Sequence, residues 1–154
     1  MSVERNTMLL ARLPLFQVFN EQQLRLIAFG AETITLKSNE LLFRLGEPAD
    51  CAFLILDGAV ELSVESDRGL VPQDVARSGV LMGGLALINS VDRPAQGVAL
   101  VSTTLLRLRR SLIQRVFQEY PDSAARLHES MSNSLQAFMK DLQRAEQLLT
   151  ALDD

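Results

Sequence analysis

Between Ala31 and Arg110 the chain is a series of short apolar runs cut by turn residues, and this pattern restricts the fold more than any other feature. Thr33-Ile34-Thr35-Leu36 alternates, Glu40 to Arg44 is a second short run, and Gly46-Glu47-Pro48-Ala49-Asp50 is turn chemistry. Ala52 to Leu56 reads as a buried strand, and Asp57-Gly58 as a tight hairpin. In Ala59 to Glu65, Val60, Leu62 and Val64 alternate with Glu61, Ser63 and Glu65. Asp67-Arg68-Gly69 turns again, Leu70 to Ala76 returns, and Val98 to Leu100 and Thr103 to Arg109 close the series. Short strands at this spacing predict a barrel or jelly roll. One segment, Gly79 to Ala95, interrupts them with Gly83-Gly84, the apolar stretch Leu85 to Ile88, and Asn89 to Pro94. A conspicuous loop inside a β domain is a candidate functional element.

Helices are expected on both sides of the strands. Met8, Leu9 and Leu13 have near-helical spacing until Pro14. Asn20 with Gln23 makes a capping box for a helix carrying Leu24, Ile27 and Ala28 and closed by Gly30. Ser111 is read as the cap of a helix through Val116-Phe117, broken at Tyr120-Pro121. A last helix is expected over 123–154, distinct from a barrel unit over 1–122. Its apolar residues Met131, Leu135, Phe138, Leu142, Ala145, Leu149 and Leu152 are spaced alternately four and three apart. That is a heptad seam, and it predicts a homodimer. Asp141 and Glu146 would face each other with like charge, and Met139 and Leu148 widen the apolar face.

Composition removes whole classes of function. With 154 residues, 47% hydrophobic and 22% charged, the chain can bury a core of its own. Cys51 and His128 are single, so an intrachain disulfide, multi-cysteine zinc sites and iron–sulfur ligand sets are excluded. No paired carboxylates, zincin motif or nucleophile elbow is present, and no enzyme is expected. His128 falls on the seam and Cys51 before a buried strand, both as packing residues. A net charge of −4 argues against nucleic acid as a partner. No apolar run approaches the roughly 18 residues of a membrane span, and the N-terminus is not a signal peptide; the expected compartment is the cytoplasm. Only Lys37 and Lys140 among 15 basic residues are lysines, a hint of a GC-rich bacterial source. Arg107, Arg109 and Arg110 are read as a solvated strand end.

The segments Leu9 to Phe16 with Gln22-Gln23-Leu24, Gly46 to Asp50 with Phe53 to Val60, Gly83 to Ile88 with Arg93-Pro94-Ala95, and Tyr120-Pro121-Asp122 with Arg126-Leu127, Met131 and Leu135-Gln136 occur in the order and spacing of a known module. The chain resembles the cyclic nucleotide-binding domain, the sensor of catabolite activator protein-type regulators, nucleotide-dependent kinases and gated channels. The resemblance implies an α+β fold: a β jelly-roll barrel, or double-stranded β-helix, with N-terminal helices and a long C-terminal helix. It makes Gly83, Gly84, Leu85, Ala86, Arg93, Pro94 and Ala95 the phosphate-binding cassette, and a cyclic nucleotide the possible ligand, with no other cofactor and no metal.

The departures from that pattern weaken the implied ligand. Arg93 stands at the phosphate arginine, but Gly84 replaces the glutamate that takes the ribose hydroxyl, a charge-assisted bond of roughly 1.5–3 kcal/mol. Pro94 has no N–H to offer the phosphate. Phe138 and Met139 stand where activator-type dimers carry polar base readers. Arg93 is read as either an anion contact or a surface ion pair with Asp92 or another acid, and Gly83-Gly84 as a turn before a ligand contact. Activator-type regulators continue into a helix-turn-helix domain; none is expected in this sequence. The expected function is a regulatory, homodimeric docking module with a protein partner and weak or no cyclic mononucleotide binding. The alternative is a true sensor of a cyclic nucleotide or another anion through Arg93.

Overall fold

A computed structural model describes residues 3–119 and Glu129. His128, the seam residues Met131, Leu135, Phe138, Leu142, Ala145 and Leu149, and Met139 lie outside the described residues, as does the expected helix over 123–154.

Helix α1 spans Val3–Ala11, a 3-10 turn Pro14–Phe16, and α2 Glu21–Gly30. The capping box forms as the sequence requires: Gln23 N–H donates to Asn20 Oδ1 and Asn20 N–H to Gln23 Oε1, both at 2.8 Å. The described strands are β1 Glu32–Leu36, β2 Leu41–Phe43, β3 Pro48–Ala49, β4 Cys51–Asp57, β5 Ala59–Ser66, β6 Gly69–Arg77, β7 Leu81–Met82, β8 Val91–Asp92, β9 Gln96–Ala99 and β10 Thr103–Arg109. A second 3-10 turn, Gly84–Leu87, lies between β7 and β8, and α3 spans Arg110–Glu119. Two four-stranded antiparallel sheets, β1-β10-β4-β7 and β2-β9-β5-β6, face each other as a jelly roll, and β3 pairs with β8.

Strand β4 explains why its sequence is a continuous apolar run. Ala52, Leu54 and Leu56 belong to a core shared with Leu10, Phe16, Ile27, Leu108 and Ile113 of the helical side. Cys51, Phe53 and Ile55 belong to a second core inside the barrel with Phe43, Val60, Met82 and Leu105. A strand covered on both faces has no polar side to alternate with.

Four local expectations are corrected. Asp57-Gly58 does not join paired strands: β4 and β5 lie in different sheets, and Gly58 (φ +109°) turns the corner between them. Thr103 Oγ1 on β10 stitches that corner, accepting from Ala59 N–H at 3.2 Å and donating to Val101 O at 2.8 Å. The alternation in β5 slips at Ser63, which is buried, because a register shift against β6 falls between Leu62 and Ser63. Within the Gly46 to Asp50 turn, Pro48 and Ala49 form β3. Ser111 lies inside the first turn of α3 rather than capping it, because the helix continues directly from β10.

Replacing Asn20 with Ala should lower unfolding free energy by about 1 kcal/mol, while Ser should retain most of it. Urea denaturation of the three proteins measures this directly.

Candidate functional site

Arg93 leaves β8 and is pinned by backbone on both sides. Its N–H donates to Glu47 O and its carbonyl accepts from Gly46 N–H, each at 2.8 Å. The side chain turns into the barrel and is only 5% exposed. Nη2 donates to Cys51 O at 2.8 Å and lies 3.4 Å from Cys51 Sγ. The guanidinium carbon lies 4.8 Å from the Phe43 ring centre and 5.3 Å from that of Phe53. Those rings are themselves stacked at 6.0 Å. Nε is buried without a hydrogen-bond partner among the described residues.

The ion-pair reading of Arg93 is overturned. Asp92 is exposed on β8, and no described carboxylate lies within salt-bridge distance of Arg93. The side chain goes inward because Phe43, Phe53 and the Cys51 carbonyl receive it there. Cys51 does not supply the missing negative charge. Burial pushes its thiol above the ordinary value, against the pull of Arg93, so it stays neutral near pH 7. A guanidinium cannot shed its proton to escape burial. Cation–π contacts and one carbonyl offset part of the desolvation, and a full positive charge remains in an apolar chamber.

Only part of the expected cassette meets this charge. A cavity of about 260 Å³ is lined by Phe43, Leu62, Val80, Leu81, Met82, Gly83, Arg93, Pro94 and Ala95. Gly84, Leu85 and Ala86 are not among its lining residues: Leu85 is exposed and Ala86 is buried. Gly83 does more than turn the chain. Its φ is +77°, and a Cβ there would sit 2.5 Å from Arg93 Nη1, so the glycine clears space for the guanidinium. A Cβ on Gly84 would meet Leu15 Cδ2 at 3.1 Å, at the edge of the helical core. A cleft of about 540 Å³ beside Leu41, Arg44, Glu65 and Leu70 is larger, but no buried polar side chain lines it.

Of the strand-end arginines Arg109 is exposed as expected, but all three are engaged in specific contacts. Glu32 takes Arg107 Nη2 at 2.6 Å and Arg109 Nε at 2.7 Å, across the register that sets Glu32 opposite Arg107. The Arg109 and Arg107 hydrogen bonds hold its carboxyl at about 2, below the ordinary 4.5. Arg110 clamps the cassette. It donates from Nε to Ala86 O at 2.8 Å, from Nη1 to Ser90 Oγ at 3.0 Å and from Nη2 to Ala49 O at 2.6 Å. Its backbone N–H also donates to Asp50 O. Thus the first residue of α3 ties the 3-10 turn to β3. Sequence reading missed Arg110, Phe43 and Phe53. The rings looked like core residues, and nothing local told that Arg110 reaches three separated segments.

The family model for the cyclic nucleotide-binding domain matches residues 33–120, more than half of the chain. The chain belongs to that family. A cyclic nucleotide-binding-like protein from Brucella abortus is 38% identical, with a TM-score of 0.70 over 74% of this chain and 98% of the other. The N-terminal domain of a transcriptional regulator from Streptomyces coelicolor is 27% identical, with a TM-score of 0.79 over 87% and 94%. A cyclic nucleotide-gated potassium channel from Mesorhizobium japonicum is 29% identical over 120 residues, 78% of this chain and 32% of the channel. A lysophospholipase from Neurospora crassa is 26% identical over 119 residues but is covered over only 8% of its length. The chain therefore matches a minor part of these two longer proteins. Among the described residues there is no cluster of His, Cys, Asp and Glu fit for a metal, and no helix is long and apolar enough to cross a membrane.

Two outcomes are expected. Arg110→Ala should lower stability by about 2 kcal/mol, the scale of a charge-assisted hydrogen bond. It should also speed amide exchange at Ile88 and Asn89, which close the 3-10 turn; lysine should restore little, lacking the planar fork. Glu32 stabilises the fold above its unfolded pKa, and this contribution is lost as pH falls toward its folded value. The stability gap between wild type and Glu32→Gln should therefore be full at neutral pH and shrink between about 4.5 and about 2. Denaturant melts across that range read it.

Proposed function

We propose that this domain is a regulatory sensor whose barrel takes a small anion on Arg93, with weak affinity for cyclic mononucleotides. One observation carries the reading: the Arg93 guanidinium is buried, carries no counter-charge among the described residues, and lines a cavity. An unpaired buried charge is costly, whereas an anion entering the chamber would relieve that cost. The same observation moves the balance from a ligand-free docking unit toward a true sensor. The expectation of weak nucleotide binding stands on Gly84 and Pro94, which leave the ribose acceptor and one phosphate donor without replacements.

The regulatory output is proposed to be contact with a protein partner, from a homodimer held by the seam from Met131 to Leu149. The acidic charge speaks against nucleic acid as the partner, and the cytoplasm is the compartment that fits a chain of this composition. Ligand binding can shift a partner's affinity only if bound and free states present different surfaces. Arg110 joins the ligand side of the barrel to the start of α3 and is the group suited to carry that difference.

Calorimetric titration with cyclic AMP and cyclic GMP should give no dissociation constant tighter than the high-micromolar range. A low-micromolar value would overturn the nucleotide part of the reading. Introducing Asp at both Leu135 and Leu142 should convert a dimer to a monomer in sedimentation, and an unchanged mass would remove the seam as the interface.

A further inference from the structure

We propose that the ligand of the barrel is a compact apolar monocarboxylate, a medium-chain fatty acid in chemical class, rather than a nucleotide. This rests on the reading of Arg93 as an anion site and names what else the anion must be. Arg93 is the only charged or polar side chain lining the cavity among the described residues. Leu62, Val80, Leu81, Met82, Phe43, Pro94 and Ala95 supply the rest of its side-chain wall. A ribose needs acceptors for its hydroxyl groups and a purine needs partners for its polar edge. These side chains offer neither, and buried polar groups without partners count heavily against binding.

Charge and size narrow the class further. One guanidinium neutralises one negative charge, and nothing else lining the chamber among the described residues is cationic, so a phosphomonoester dianion would keep an uncompensated charge. A carboxylate matches the planar donor fork and is a monoanion. Arg93 has donors to spare: among the described residues both hydrogen bonds of its guanidinium come from Nη2, and Nε has no partner. The volume, about 260 Å³, lies just below the usual range of small-molecule sites, roughly 300–1,000 Å³. The hydrocarbon body would contribute by leaving water, about 25 cal/mol per Å² of apolar area buried.

The test is calorimetric titration of the full chain, at fixed ionic strength, with sodium octanoate, 1-octanol, cyclic AMP and inorganic phosphate. Octanoate is expected to bind at one site per chain, at least tenfold tighter than octanol and tighter than cyclic AMP or phosphate. Arg93→Gln should weaken octanoate at least tenfold, to the level of the alcohol. Should that variant fail to fold, Val80→Glu keeps Arg93 and offers it an internal carboxylate from a cavity position that is 43% exposed. It should weaken octanoate at least tenfold, and further than the uncharged Val80→Gln does, with its melting transition retained. Octanol equal to octanoate, or octanoate binding indifferent to these changes, overturns the proposal. If cyclic AMP or phosphate binds through Arg93 and octanoate does not, the anion site stands and the apolar carboxylate falls. If none of the four binds, both fall.

Discussion

A permanent positive charge inside an apolar barrel is the constraint around which the rest of this domain is arranged. Arginine is the one side chain that can be buried there as a cation, because its flat faces stack on rings while its edge donates hydrogen bonds. Phe43 on β2 and Phe53 on β4 supply the rings, and Cys51 supplies the carbonyl. Gly83 must lack a side chain for the guanidinium to fit, and the Gly46-Glu47 turn fixes the backbone from which it projects. Elements from four stretches of sequence thus converge on one group. The barrel core satisfies the geometry of that group, and no described carboxylate partners its charge.

The turn after Gly83 stands between two cores. Met82 packs inside the barrel, while Leu87, five residues on, packs with the helices. Arg110 then holds the turn to β3 through three side-chain hydrogen bonds from the first residue of α3. Ala86 and Leu87 of this segment are fully buried, so a shift at its inner face is passed to its packed neighbours rather than absorbed. The chemistry of the cavity and the mechanics of the fold therefore meet at one short stretch, Gly83 to Ser90.

The jelly roll was legible because its signals are local. Alternation, turn dipeptides and the Asn20 capping box each act within a few residues, and the order of segments resembled a known module closely enough to fix the fold. Legibility failed where long-range contacts decide. Asp57-Gly58 carries the chemistry of a hairpin, yet its two strands pair with different neighbours. Ser63 is polar by composition and buried by a register shift that no local signal announces. At the site, Arg93 was legible as either an anion contact or an ion pair, and the choice between solvent and core depended on Phe53 and Phe43, about 40 and 50 positions away in sequence. Arg110 looked like one of three equivalent cations, and tertiary contacts gave it a separate task.

The central claim is that Arg93 is a buried, uncompensated cation awaiting an anion, and NMR of its own Nε–H reports on this most directly. The account predicts an Arg93 Nε–H resonance protected from solvent exchange in the free protein, which shifts on titration with a carboxylate and not with the corresponding neutral alcohol. A resonance that exchanges rapidly with water, or that is unmoved by every anion added, would contradict it.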